Sequence, residues 1–226
     1  MANLPVYTIH RTDNRPELKG QWGGEVWGNA PFLEIAAFRP ESGTHRPVTR
    51  VKILSNPEGL FGLFQVQDRF VRCVRTGFQS EVYKDSCVEF FVQPRPDSGY
   101  FNFEFNCGGA ALMYYITDPR RTPDGFRAFT KLTPGEGGSV DIYASLPPIV
   151  EPELTRETCW HLEFYIPFAL LRKYAGDFSV DPGTCWRANF YKCGDETSRP
   201  HWAAWSPVDE LNFHLPRCFG ELRFAP

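Results

Sequence analysis

The chain has 226 residues, with 24 Lys and Arg against 27 Asp and Glu, and its charge of −3 denies it the basic footprint of a nucleic-acid binder. With 42% hydrophobic and 23% charged residues it can fill a core and is too weakly charged for disorder, and no stretch approaches the ~20 apolar residues that span a bilayer. The 20 Phe, 9 Tyr and 6 Trp, punctuated by 20 Pro and 19 Gly, suit pleated strands joined by tight turns.

Period-two alternation runs through the chain. Thr49 to Ser55 and Leu60 to Gln67 open the series of predicted strands. Ser86 to Gln93 sets Val88, Phe90 and Val92 on one face and Cys87, Glu89 and Phe91 on the other. Gly99 to Cys107 is the clearest case: Phe101, Phe103, Phe105 and Cys107 oppose Tyr100, Asn102, Glu104 and Asn106. Ser139 to Ser145 follows. Trp160, Leu162, Phe164 and Ile166 then alternate with His161, Glu163 and Tyr165. A short helix begins at Pro167, suited to a first turn, and stops at Gly176. Trp186, Ala188 and Phe190 oppose Arg187, Asn189 and Tyr191, and Phe219 to Phe224 closes the series. Turn signals fall at Pro94 to Gly99, Pro119 to Gly125, Pro134 to Gly138, Pro147-Pro148 and Asp181 to Gly183. The pattern predicts an all-β fold, a two-sheet antiparallel β-sandwich with one or two short helices. There is no internal repeat or long linker, so residues 1–226 read as a single domain.

The polar parity carries the functional signal. Glu89, Asn102, Glu104, Asn106, Arg187, Asn189 and Tyr191 are carboxylates, amides, a guanidinium and a phenol where an ordinary wet face would mix Lys, Thr and Ser. Planar hydrogen-bonding groups pair with vicinal hydroxyls, and aromatic rings cover the apolar faces of a sugar. A solvated face, or a polar network buried under a loop, is the other reading of the same residues.

Four runs of sequence add a resemblance. Lys84-Asp85-Ser86-Cys87-Val88-Glu89-Phe90-Phe91-Val92, followed by Gly99-Tyr100, resembles the D-S-V-E-I-F strand and Gly-Tyr strand of family 9 carbohydrate-binding modules. Trp186-Arg187-Ala188-Asn189-Phe190-Tyr191 with Gly194-Asp195 is similar to that family's G-F-N-x-x-x-N-D strand. Trp205-Ser206-Pro207 resembles its W-S turn, and Phe219-Gly220-Glu221-Leu222 its closing F-G-x-L. These anchors occur in family order. The resemblance implies a DOMON-like, jelly-roll sandwich that binds a sugar or glycan chain end without catalysis, in polysaccharide breakdown or uptake, acting alone or beside a glycan-degrading enzyme. It places the two sugar-stacking rings at Tyr83 and Phe213, the strand carboxylate at Glu89, the strand arginine at Glu104 and the strand glutamine at Tyr191. Tyr and Phe thus stand where the family has Trp, and Glu where it has Arg. The segment from Arg199 to Pro216 supplies Trp202, His201, His214 and Asn212 as further contacts. The expected carbohydrate-binding residues are Tyr83, Glu89, Asn102, Glu104, Asn189, Tyr191, Trp202 and Phe213, in a shallow, exposed site.

Other chemistry is thinner. Glu89 and Glu104 form a carboxylate pair that adjacent strands ~4.8 Å apart could bring to hydrolytic spacing, which makes a small glycoside hydrolase the alternative; a salt link to Arg187 or a binding role fits them better. A structural sandwich that has lost its sugar is the other alternative. Trp160 and Trp186 read as core, and Trp22 and Trp27 bracket a Gly-Gly turn. Seven scattered Cys read as buried free thiols. No cofactor is required. The resemblance implies structural calcium, for which Asp68, Asp85, Asp195, Glu196 and Asp209 are the candidate acids; no metal ligand is assigned. Haem, bound elsewhere among DOMON proteins, needs axial Met or His, and Met1 and Met113 are the only Met. His201 and His214 flank one loop, which reads as solvated. Met1 to His10 shows no secretion signal. Free thiols favour a reducing compartment and the resemblance a secreted or periplasmic one, so localisation stays open.

Overall fold

The computed structural model describes residues 4–13 and 15–226; Met1, part of the haem and signal readings, lies outside them. In chain order the strands are Val6–Arg11 (β1), Leu33–Glu34 (β2), Ala37–Phe38 (β3), Val48–Ser55 (β4), Gly59–Asp68 (β5), Val71–Cys73 (β6), Cys87–Gln93 (β7), Tyr100–Asn106 (β8), Ala111–Thr122 (β9), Gly125–Lys131 (β10), Asp141–Ala144 (β11), Val150–Leu154 (β12), Thr158–Pro167 (β13), Cys185–Cys193 (β14), Trp202–Ala204 (β15) and Gly220–Phe224 (β16). Two short helices, Pro134–Gly137 (α1) and Phe168–Ala175 (α2), and two 3-10 turns, Val82–Lys84 and Pro216–Cys218, join the strands. Among the described residues no helix is long and apolar enough to cross a membrane.

The strands form a two-sheet sandwich. One sheet runs β10-β9-β8-β7-β14-β16 and ends on the first half of β1; the other starts from the second half of β1 and runs β4-β5-β13-β11. Val6 to Ile9 pair with Glu221 to Phe224, then His10 and Arg11 pair with Leu54 and Ser55, both in parallel. The expected antiparallel order therefore holds except at β1, which passes from one sheet to the other. β15 continues along β14 beyond the end of β16 and carries β3 on its outer side.

The core lies between the sheets and obeys the predicted parity. Phe90 of β7 stacks on Phe190 of β14 at 4.9 Å and on Phe164 of β13 at 5.7 Å, and Phe105 of β8 meets Phe164 at 5.5 Å. Phe164 thus bridges from the second sheet into the rings of the first. Gly62, its register partner on β5, leaves room for it, since a Cβ there would sit 2.1 Å from the Phe164 ring. Burial of each such ring contributes about 1.5–3 kcal/mol. Trp160 and Trp186 are buried, as expected.

Both outer faces carry a second layer. Trp27 covers the β5–β13 face and donates its indole N–H to Glu163 Oε1 at 2.8 Å. The outer face of the first sheet is covered by the 205–219 segment and the β9–β10 hairpin. The sequence did not mark that hairpin as strands. Pro119 lies inside β9, and the turn is confined to Pro123-Asp124 with Gly125 at φ +124°. Cys159 and Cys185 are exposed rather than buried, because they stand at the outer parity near strand ends.

Candidate functional site

The motif residues first build the frame. Asp85, fully buried before β7, accepts from the Val74 and Arg75 backbone N–H groups, the Arg75 guanidinium and the Asn106 amide. Asn189 Nδ2 donates to the Ser206 carbonyl at 2.9 Å while its Oδ1 accepts from Ser206 N–H at 2.9 Å. That amide is spent on holding the covering segment. Tyr191 does the same lower down: its hydroxyl donates to the Phe213 carbonyl at 2.9 Å and its ring stacks on Phe213 at 4.1 Å. Gly220 is required where the Trp205 ring packs, since a Cβ would lie 2.5 Å from it.

The clamped segment, the hairpin and the sheet face enclose a cavity of about 740 Å³, within the range of small-ligand sites. Six of the eight predicted residues line it: Tyr83, Glu89, Asn102, Glu104, Trp202 and Phe213. Asn189 and Tyr191 do not. Both are fully buried and serve as pins for the loop, a correction to their expected role as sugar ligands. The expected shallow, exposed site is corrected too. Glu89 and Glu104 are 3% and 4% exposed, because the sheet face that period-two logic leaves wet is roofed by the chain itself.

At the floor, Glu89 of β7 stands directly opposite Glu104 of β8. Glu89 Oε1 accepts from the Cys193 thiol at 3.1 Å, and Glu104 Oε1 accepts from Asn102 Nδ2 at 2.7 Å. Asn102 Oδ1 is itself taken by Tyr114 N–H at 3.0 Å. Burial raises the pKa of Glu104 to about 7, against the Asn102 hydrogen bond. Burial also lifts Glu89 well above the carboxylate range, reinforced by Cys193 and by Glu104 opposite. Arg187 does not pair with either acid; its guanidinium donates to the carbonyls of Phe219 and Gly220.

The walls are aromatic. Tyr83 precedes β7 on a single turn of 3-10 helix and donates to Glu81 at 2.9 Å. Trp202 of β15 donates its indole N–H to Asp195 Oδ1 at 2.7 Å, and burial raises the Asp195 pKa to about 6. Tyr114, Phe126 and Phe129 of the hairpin also line the cavity. Sequence reading missed them; the alternation of Leu112, Tyr114 and Ile116 on one parity was the available signal. His214 lines the cavity, buried, with its Nδ1 2.9 Å from the Tyr100 hydroxyl. Burial holds its pKa well below the usual value.

The candidate metal residues are engaged by other protein groups. His201 is fully buried, not solvated, and is paired with Lys192 at 2.7 Å. Asp68 faces Lys192 and His45, Asp85 and Glu196 share Arg75, Asp195 holds Trp202, and Asp209 binds Arg217. Among the described residues the one trio placed to hold an ion is Cys87, Glu89 and Cys193, a sulfur-rich set that suits zinc rather than calcium.

The family model for carbohydrate-binding family 9 matches residues 27–224. The chain belongs to carbohydrate-binding family 9. The family consists of non-catalytic modules, so the hydrolase alternative falls away and the activity is carbohydrate binding without turnover. Among solved structures, the chain is similar to a Bacteroides uniformis protein assigned as carbohydrate-binding, at TM-score 0.85 and 26% identity, covering 98% of this chain and 100% of that one. It shares its fold with a family 9 module of Caldicellulosiruptor kristjanssonii bound to glucose (TM-score 0.64, 14% identity, 97% and 95% covered). The match to the cellotriose complex from the same organism has TM-score 0.63 and 16% identity, with 97% and 94% covered. No curated protein matches the sequence.

Proposed function

We propose that the cavity over the first sheet holds a sugar or a glycan chain end between Tyr83, Trp202 and Phe213, with Glu89, Asn102 and Glu104 reading its polar groups. One observation carries this reading: six residues chosen as sugar contacts line one cavity of suitable volume. Rings supply flat apolar area against the C–H faces of a pyranose, and the acids supply hydrogen bonds at the floor. Asn189 and Tyr191 support the site by fixing Ser206 and Phe213. The role fits polysaccharide breakdown or uptake, with a glycan-degrading enzyme as the natural partner. A structural calcium, implied by the family likeness, would need ligands other than the five candidate acids. A glycan array followed by a crystallographic sugar soak tests the site: electron density between Tyr83 and Trp202 is expected. Retention of no glycan, or density elsewhere, would overturn it.

A further inference from the structure

Four of the side-chain donors around the cavity are already committed to protein acceptors. The Asn102 amide is committed to Glu104, the Cys193 thiol to Glu89, the Trp202 indole to Asp195 and the Tyr83 hydroxyl to Glu81. Glu104 Oε2 is buried, and among the described residues no donor reaches it. Glu104 is the cross-strand register partner of Glu89, and both residues line the cavity. The cations that line the cavity, Arg121 and Lys131, are exposed on the hairpin and lie over the Phe126 and Tyr114 rings; the Arg121 charge reaches Glu104, but among the described residues neither cation forms an ion pair with Glu89 or Glu104. Two such carboxyls, one with an orphaned oxygen, are costly to bury unless a cationic donor fills the gap.

A neutral hydroxyl meets this requirement poorly. It brings one proton but also lone pairs, which face further acceptors. An ammonium group brings three donors, no acceptor and a positive charge that returns the two buried acids from their protonated forms to carboxylates, their protons leaving to solvent. We propose, on the basis of the sugar-binding reading above, that the ligand presents a protonated amine to Glu89 and Glu104, so that the preferred sugar is a hexosamine with a free amino group or a chain ending in one.

Calorimetric titration of the native protein with glucosamine, glucose and N-acetylglucosamine in neutral buffer tests this. Glucosamine is expected to bind at least about tenfold more tightly than glucose, as a charge-assisted hydrogen bond exceeds a neutral one. Acetylation removes the charge and should abolish the preference. In Glu104→Gln the ratio of the two affinities should fall to about one; the acetylated sugar gives the same information in native protein should that variant not fold. Equal affinities, or tighter binding of glucose, would overturn the amine inference while leaving sugar binding intact. Failure of all three sugars, and of every glycan on an array, would instead remove the reading on which it rests.

Discussion

Tyr191 and Phe213 lie ring on ring, with centroids 4.1 Å apart and planes 11° apart, while the Tyr191 hydroxyl donates to the Phe213 carbonyl. One side chain of β14 thereby fixes both the ring and the backbone of the segment that roofs the cavity. Tyr191→Phe keeps the stack and deletes the bond, leaving the Phe213 carbonyl with only the Leu215 N–H as donor among the described residues. A loss of about 1–2 kcal/mol in urea unfolding is expected, together with weaker sugar binding, because the Phe213 wall loosens. Unchanged stability would show that the hydroxyl does not hold the loop.

Much of this arrangement was legible in sequence, and the remainder failed for physical reasons. Side-chain parity depends only on the strand repeat, so Phe101, Phe103 and Phe105 could be separated from Asn102 and Glu104 without knowing a partner strand. Parity cannot say whether the polar side meets water. That depends on residues 205–219, which hold no strand and only one 3-10 turn, Pro216–Cys218, and are fixed over the sheet by two side chains from another part of the chain, Asn189 and Tyr191. Parity alone therefore makes ligands of two residues that the fold uses as pins. The α1 turn carried a signal that was passed over: Thr133 and Glu136 form a reciprocal capping box. The parallel pairing of β1 with β16 and β4 joins the two ends of the chain, and no local pattern encodes it.

The acid pair sets an unusual pH dependence. Glu104 holds its proton in the folded protein up to about pH 7, whereas an unfolded chain releases it near 4.5. Below that lower value both states are protonated and the group is neutral in effect. Between the two, only the folded state binds the proton, so stability falls as pH rises; above about 7 the full cost applies. At about 1.4 kcal/mol per unit, the penalty reaches about 3 kcal/mol. Chemical unfolding of Glu104→Gln should match the native protein in acid and exceed it by about 2–3 kcal/mol in mildly alkaline buffer. An equal difference at both extremes would contradict the burial mechanism.

Lys192 breaks the parity rule and is tolerated because its donors are met. Buried on the core side of β14, it donates to the Cys193 carbonyl at 3.0 Å and to His201 Nε2 at 2.7 Å, and faces Asp68 at 3.4 Å. Burial opposes ionisation of Asp68, but Lys192 and His45 beside it keep it a carboxylate. Lys192→Met strands that charge and should cost about 3–5 kcal/mol. Burial also lowers the His201 pKa to about 3, with Lys192 adding to the effect. An unfolded His takes up its proton near 6.5, so stability should decline as the pH falls from there toward 3. His201→Gln should flatten that limb of the curve, and persistence of the full slope would place its origin in other groups, such as His214.

Phe213 is a poor place to test sugar stacking, because it is nearly buried and supports Tyr191 from above. Removing it would cost about 3–5 kcal/mol, and lost binding would then report lost structure. Tyr83 separates the two effects. It is half-buried on one turn before β7, and its hydroxyl bonds only to Glu81 two residues away. Tyr83→Ala should leave the unfolding midpoint within about 0.5 kcal/mol of native, as for an ordinary surface change. Its sugar affinity should drop by about five- to thirtyfold, the worth of one ring contact of about 1–2 kcal/mol. Paired titration and unfolding of this single variant decide whether the cavity wall binds. A stable protein with native affinity would place the stacking surface on Trp202 and the hairpin rings instead.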